Sequence, residues 1–221
     1  IETSTILQRN EEHKARLFAP YNPLTGEGSP IARTKLYLTD ESYVLIPDYI
    51  MQSVFFQEVC SFDTAKEYVE TKKLDWDSFL ISLTRLRIKW DFEFWAASCC
   101  YIKDKKRGKF VLFQLRRAQL KLLKILIEDL FNNIPVRVIL LKARQWGGST
   151  LVQMFMAWLQ IFHCENWNSV IVAHQKDAAR NIRAMYSNMA LKHPASISRV
   201  RFRNFEGSSS NKQLIDNGSV I

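Results

Sequence analysis

The chain has 221 residues, is 47% hydrophobic and carries a net charge of +9. That suffices for one good core, or one core with an appendage. No apolar run reaches the roughly 18 residues that span a bilayer, and Ile1-Glu-Thr-Ser4 lacks the basic and apolar segments of a signal peptide, which argues against membrane and secreted classes.

The charge is unevenly placed. Residues 1–100 hold eleven Lys and Arg against fifteen Asp and Glu, a net of −4. Residues 101–221 hold twenty against seven, a net of +13, which makes that half attractive to polyanions. A basic surface that is merely solvated is the alternative. The cysteines Cys60, Cys99, Cys100 and Cys164 match neither a zinc spacing nor a disulfide framework and read as reduced thiols of a cytosolic protein. His13, His163, His174 and His193 are scattered, and no metal is assigned to them.

Residues 1–35 read as irregular, with Asn22-Pro-Leu-Thr-Gly-Glu-Gly-Ser-Pro30 as a turn-rich surface loop. Residues 36–46 predict a short strand and turn. Pro47 opens a helix that buries Tyr49, Ile50, Val54, Phe55 and Val59. Asp63 is expected to cap a short helix ending near Lys72. A further helix is expected from Asp75 to Lys89, with Phe79, Leu80, Leu83 and Leu86 inward. Residues 1–89 therefore predict a mainly helical N-terminal segment. Leu36-Tyr-Leu-Thr-Asp-Glu41 imitates an apolar strand ending in an acid pair, but it stands 100 residues before any phosphate-binding feature and reads as a turn or cap.

From Trp90 the pattern changes. Phe94–Ile102 and Lys109–Phe113 flank the basic turn Lys103–Lys109 and predict a hairpin. A helix from Arg116 to Phe131 buries Leu120, Leu123, Ile127 and Leu130, and Asn132–Pro135 ends it. Val136–Leu141 and Ser169–Ala173 predict buried parallel strands joined by a loop and a helix from Ser149 to His163. A helix from Lys176 to Leu191 stops before Pro194. Arg199–Phe205 and Gln213–Ile221 predict two strands around a polar loop.

The stretch Val136-Arg-Val-Ile-Leu-Leu-Lys-Ala-Arg-Gln-Trp-Gly-Gly-Ser-Thr150 has the order strand, glycine turn, helix. Backbone N–H groups at a helix start attract phosphate oxygens, and glycines let them approach closely. The usual pattern G-x-x-x-x-G-K-[ST] is broken here: Ala143 replaces the first glycine and Gly148 the lysine. Lys142 or Arg144 supplies the cation from the start of the loop, and Ser149 can ligate Mg²⁺. An ordinary glycine turn between a strand and a helix is the alternative.

This displaced-lysine loop resembles that of the large terminase subunit, the DNA-packaging ATPase of tailed phages and prophages. Two further segments resemble that family in the right order. Phe113-Gln-Leu-Arg-Arg-Ala-Gln119 is similar to its adenine-reading Leu-x-x-x-Gln segment, since a Gln amide can pair with adenine N6 and N7. Ser169-Val-Ile-Val-Ala-His-Gln-Lys-Asp-Ala-Ala179 resembles the strand and helix after its phosphate loop. The similarity covers about Trp90 to Ile221 and implies an α/β fold over residues 90–221: a partial P-loop NTPase sheet of the ASCE/RecA-like kind that stops before the Walker B acids. It implies ATP and Mg²⁺ as cofactors, with Gln119, Gln145, Trp146, Gly147, Gly148, Ser149 and Thr150 binding nucleotide. Lys142 and Arg144 would neutralise the γ-phosphate, and Ser149 would hold the metal. Double-stranded DNA, a portal, a small terminase subunit and a homo-oligomeric ring are the implied partners, in the cytoplasm of a bacterial host. The basic turn and Arg199, Arg201 and Arg203 are candidate DNA contacts. A superfamily 2 helicase-like ATPase and a non-hydrolysing DNA adaptor with a decayed nucleotide site are the rival readings.

Overall fold

The computed structural model describes residues 3–18, 20–104, 108–142, 146–196, 200–204, 212–215 and 218–220. Helices dominate them. The N-terminal part comprises α1 (Thr3–Phe18), the hairpin β1 (Arg33–Tyr37) and β2 (Tyr43–Pro47), and helices α2 (Asp48–Met51), α3 (Val54–Glu58), α4 (Phe62–Thr71) and α5 (Trp76–Trp90). Then follow α6 (Phe92–Cys99), the hairpin β3 (Tyr101–Lys103) and β4 (Phe110–Leu112), and α7 (Arg117–Phe131). Helices α8 (Gly148–Phe162) and α9 (Lys176–Leu191) and the pair β5 (Phe202–Asn204) and β6 (Lys212–Leu214) complete the order.

The expected P-loop fold is overturned. Among the described residues the sheets are three separate two-stranded antiparallel hairpins, and no parallel central sheet is formed. Residues 136–141 and 169–173 have no ladder. Exposure alternates along both segments. Ile139 and Leu141 stand fully in the open at 102% and 100%, whereas Val136, Val138 and Leu140 keep 38–40%. Val170 and Val172 keep 82% and 88%, whereas Ile171 packs against the core. Residues 136–141 are thus exposed throughout, though unequally, and the second segment turns Ile171 to the core while Val170 and Val172 stay bare. Apolar composition shows that a segment avoids water; a strand also needs a neighbour to take its backbone hydrogen bonds.

Other boundaries shift for local reasons. The expected strand at Phe94 is part of α6, because Asp91 caps that helix by accepting from the Phe94 N–H at 3.3 Å. Phe92, Trp95, Ala96 and Cys99 are all buried, so burial on several sides erased the period that separates helix from strand. Ser61 rather than Asp63 caps α4 in a reciprocal box with Thr64. The helix after Pro47 is broken in two, and it buries Phe56 while Val54 stays exposed. Residues 3–18, expected to be irregular, are helical, and Ile6 and Leu7 of α1 are exposed. Asp40 and Glu41 sit in the β1–β2 turn, where the Thr39 hydroxyl accepts from the Glu41 and Ser42 N–H groups.

Two cores result. Leu36, Ile46, Ile50, Phe56, Val59, Phe79 and Leu83 gather one between the first hairpin and α2–α5. Side chains of α6–α9 build the other around the fully buried Trp95 and Trp158. Tyr49 touches both, stacking on Phe131 at 4.1 Å and donating to the Trp90 carbonyl at 2.9 Å.

A buried ionic cluster joins the N-terminal loop to α5 and α6. The Arg33 guanidinium clasps Asp91 with two bonds of 2.8 and 2.9 Å and reaches Glu93 at 3.2 Å. Arg87 lies 3.7 Å from Asp91 and donates to the Leu24 carbonyl at 2.8 Å. Glu93 accepts from Ser29 at 2.6 Å and from Tyr21 at 3.1 Å. Burial raises the Glu93 carboxyl above the usual range, against the pull of Arg33. The two acids inside the apolar run Trp90-Asp-Phe-Glu-Phe94 were the sequence signal for such a cluster.

His163 ends α8 between the Trp90 and Trp158 rings, with centroids at 4.7 and 4.3 Å, and its Nε2 lies 2.8 Å from the Lys89 carbonyl. Burial pulls its pKa down to about 4. The folded state therefore favours the neutral ring, while the unfolded ring takes its proton near pH 6.5. Between those values the unfolded state binds more protons, so stability rises with pH across the window. His163 should contribute its full share above pH 6.5 and lose it progressively down to pH 4. Urea midpoints measured from pH 4 to 7 should fall less toward acid in His163→Gln than in the wild type; parallel profiles would contradict this.

Candidate functional site

Residues 136–142 precede α8 in the chain, and α8 carries much of the second core. Gly147 is the N-cap of α8 and sits at φ +88°, a left-handed conformation that side chains resist. No side chain caps this helix start among the described residues. The first helical bond runs from the Leu151 N–H to the Gly147 carbonyl at 3.1 Å. The N–H groups of the first turn, with the positive end of a 15-residue helix behind them, are suited to an anion.

Gly148 is buried, and its missing side chain leaves room for two neighbours. A Cβ there would lie 3.0 Å from the Trp146 ring and 3.1 Å from Lys142 Cδ. The Lys142 side chain therefore folds back over the helix start, and the half-buried Trp146 packs beside it. Lys142 itself is exposed, as is Ser149 in the first turn. Thr150 is half-buried, and its hydroxyl points to the Met185 sulfur of α9 at 3.7 Å. Arg144 and Gln145 lie outside the described residues. Lys142, Trp146, Gly147, Gly148 and Ser149 are thus gathered at one helix start, while Thr150 turns toward α9. The donor set fits a polyphosphate: an exposed lysine, backbone N–H groups that no side chain caps among the described residues, and a hydroxyl for a hard cation.

Gln119 is brought to the same place from 28 residues earlier, but it is only 2% exposed. Its Oε1 accepts from the Arg116 N–H at 2.9 Å, which caps α7. Its Nε2 donates to the Gly147 carbonyl at 2.9 Å. Neighbouring Arg117 reaches back to the Gly28 carbonyl at 2.5 Å and the Pro20 carbonyl at 3.1 Å. The start of α7 is thereby tied to the N-terminal loop, a contact that sequence spacing did not reveal.

Lys105, Lys106, Arg107 and Arg199 lie outside the described residues. Arg203 donates to Gln213 across the β5–β6 pair at 2.8 Å. Helix α9 packs against β3, and Lys192 sits over the Phe110 ring at 4.1 Å. An open groove of 520 Å³ is lined by Asp77, Leu80, Ile81, Thr84, Arg85, Ile88 and Ser196 and shares no residue with the loop.

Among the described residues no group of three or more His, Cys, Asp and Glu side chains is placed to hold a metal, and no helix is long and apolar enough to cross a membrane. Compared with family models and with curated proteins, the chain matches none.

Proposed function

We propose that this chain binds the polyphosphate of ATP at the start of α8 and forms the nucleotide-binding portion of an ATP-driven, DNA-packaging motor of the large-terminase kind. One observation carries the proposal: Lys142 folds over Gly148 beside an uncapped helix start whose N-cap glycine is left-handed. A phosphate cation displaced from its usual position would be expected beside such a helix start, which supports this reading. Anion binding at a helix start depends on local N–H groups and on the cation, so it does not require a parallel sheet, which is not formed among the described residues. In this reading Lys142 neutralises the terminal phosphate, the backbone of Gly147 to Ser149 cradles its oxygens, and Ser149 ligates Mg²⁺.

The net charge of +13 over residues 101–221 favours double-stranded DNA as the polymer on which such a motor acts. A portal, a small terminase subunit and a homo-oligomeric ring in the cytoplasm of a bacterial host belong to the same proposal, as does ATP hydrolysis by the complete machine.

The test is Mg-ATP titration of the wild type and of Lys142→Ala by calorimetry. Losing a charge-assisted phosphate contact is expected to weaken binding about tenfold to a hundredfold, with the thermal midpoint unchanged because Lys142 is exposed. Equal affinities in the two proteins, or a wild type that binds no ATP, would remove the proposal.

A further inference from the structure

We infer that Gln119 is a positioning residue that sets the loop through the Gly147 carbonyl, and that it does not read a base. The inference rests on the phosphate-loop reading only for its functional consequence; the clamp itself stands on geometry. Gln119 is 2% exposed, and its amide is engaged at both ends. Its Nε2 shares the Gly147 carbonyl with the Leu151 N–H, so one oxygen ends both the side-chain clamp and the first helical turn. The fit is tight: a Cβ on Gly147 would lie 2.7 Å from that Nε2.

Gln119 is itself well anchored. Its Oε1 caps α7, and α7 is tied through Arg117 to the Pro20 and Gly28 carbonyls. In the same N-terminal loop Tyr21 and Ser29 donate to Glu93, which is paired with Arg33. The orientation of the α8 N–H groups is thus referred, through one buried amide, to the ionic cluster. An amide so placed would act on any polyphosphate, whatever base it carries.

Hydrogen exchange and ligand binding in Gln119→Glu and Gln119→Met test this. The introduced carboxylate can still accept from the Arg116 N–H but cannot donate to Gly147, so α7 stays capped while the clamp opens. The Leu151 amide should then exchange about tenfold faster than in the wild type at pH 8. At pH 5 a protonated carboxyl regains a donor, and the difference from the wild type should shrink once intrinsic rates are divided out. The methionine variant should exchange fast at both pH values. Mg-ATP, Mg-GTP and Mg-tripolyphosphate should all lose affinity by a similar factor, about tenfold, in either variant.

Unchanged Leu151 exchange in both variants would overturn the inference, as would loss of ATP affinity alone with GTP and tripolyphosphate retained. A wild type that binds none of the three probes, with exchange still accelerated in the variants, would support the clamp and remove the phosphate reading by itself.

Discussion

Replacing Asp91 with alanine is expected to destabilise the chain by about 3–5 kcal/mol, the usual cost of leaving buried charge without its partner. Asp91 is fully buried and receives two bonds from Arg33, with Arg87 at 3.7 Å. Both guanidiniums are nearly inaccessible, at 3% and 6%. Alanine would leave Arg33 with Glu93 as its acid, take from Arg87 the carboxylate it faces, and also remove the cap on α6. Urea unfolding gives the measurement. The double change Asp91→Ala with Arg33→Met should recover part of the loss, because it removes one of the stranded charges. A midpoint within error of the wild type for Asp91→Ala would show that the cluster is not important to stability.

The second large effect is expected at Gly147. Gly147→Ala meets two obstacles: a left-handed φ of +88° and a Cβ 2.7 Å from Gln119 Nε2. The first costs roughly 1–2 kcal/mol for a residue with a side chain. The second cannot be relieved by a small swing, because Gln119 is buried and held by Arg116. A total near 2–3 kcal/mol is expected once the buried hydrogen bond is strained as well, together with loss of phosphate binding.

Gly148→Ala should behave differently. Gly148 does not share the left-handed conformation, and one of its close neighbours is the exposed Lys142. Its stability cost should stay below about 1 kcal/mol, while phosphate affinity falls because Lys142 is pushed aside. Gly148→Lys adds the same Cβ and should likewise remain folded. Thermal unfolding and Mg-ATP titration of these variants give the ranking; equal destabilisation at the two glycines would contradict it.

Much of the local structure was legible in the chain. Helix α9 runs from Lys176 to Leu191 as its period predicts, and α7 and α8 begin and end within one residue of their expected limits. The helix expected from Asp75 to Lys89 is α5, with Asp75 as its N-cap. These features depend on hydrogen bonds between residues four apart and on short polar side chains at helix starts, which a sequence displays directly. The glycine turn before α8 belongs here too, since Gly147 takes the conformation that disfavours other residues.

Pairing and partners were decided elsewhere in the molecule. The apolar runs 136–141 and 169–173 look like buried strands, yet the tertiary structure gives them no ladder and leaves Ile139, Leu141, Val170 and Val172 bare. Phe94 lies in a helix because Asp91 caps it, although its apolar neighbours suit a strand equally well. Gln119 reads as a helix residue available to a ligand, and only the approach of Gly147 from 28 residues away buries its amide. Asp91 and Glu93 declare that charge is present, but Arg33 is brought to them from 58 positions earlier by the first hairpin. A helix closes its backbone hydrogen bonds within itself. A strand, a buried amide or a buried charge needs a group that only the fold brings near, and for that reason this chain's sequence by itself determined helices α5, α7, α8 and α9, whereas its tertiary structure decided the fate of the apolar runs 136–141 and 169–173 and the burial of Gln119.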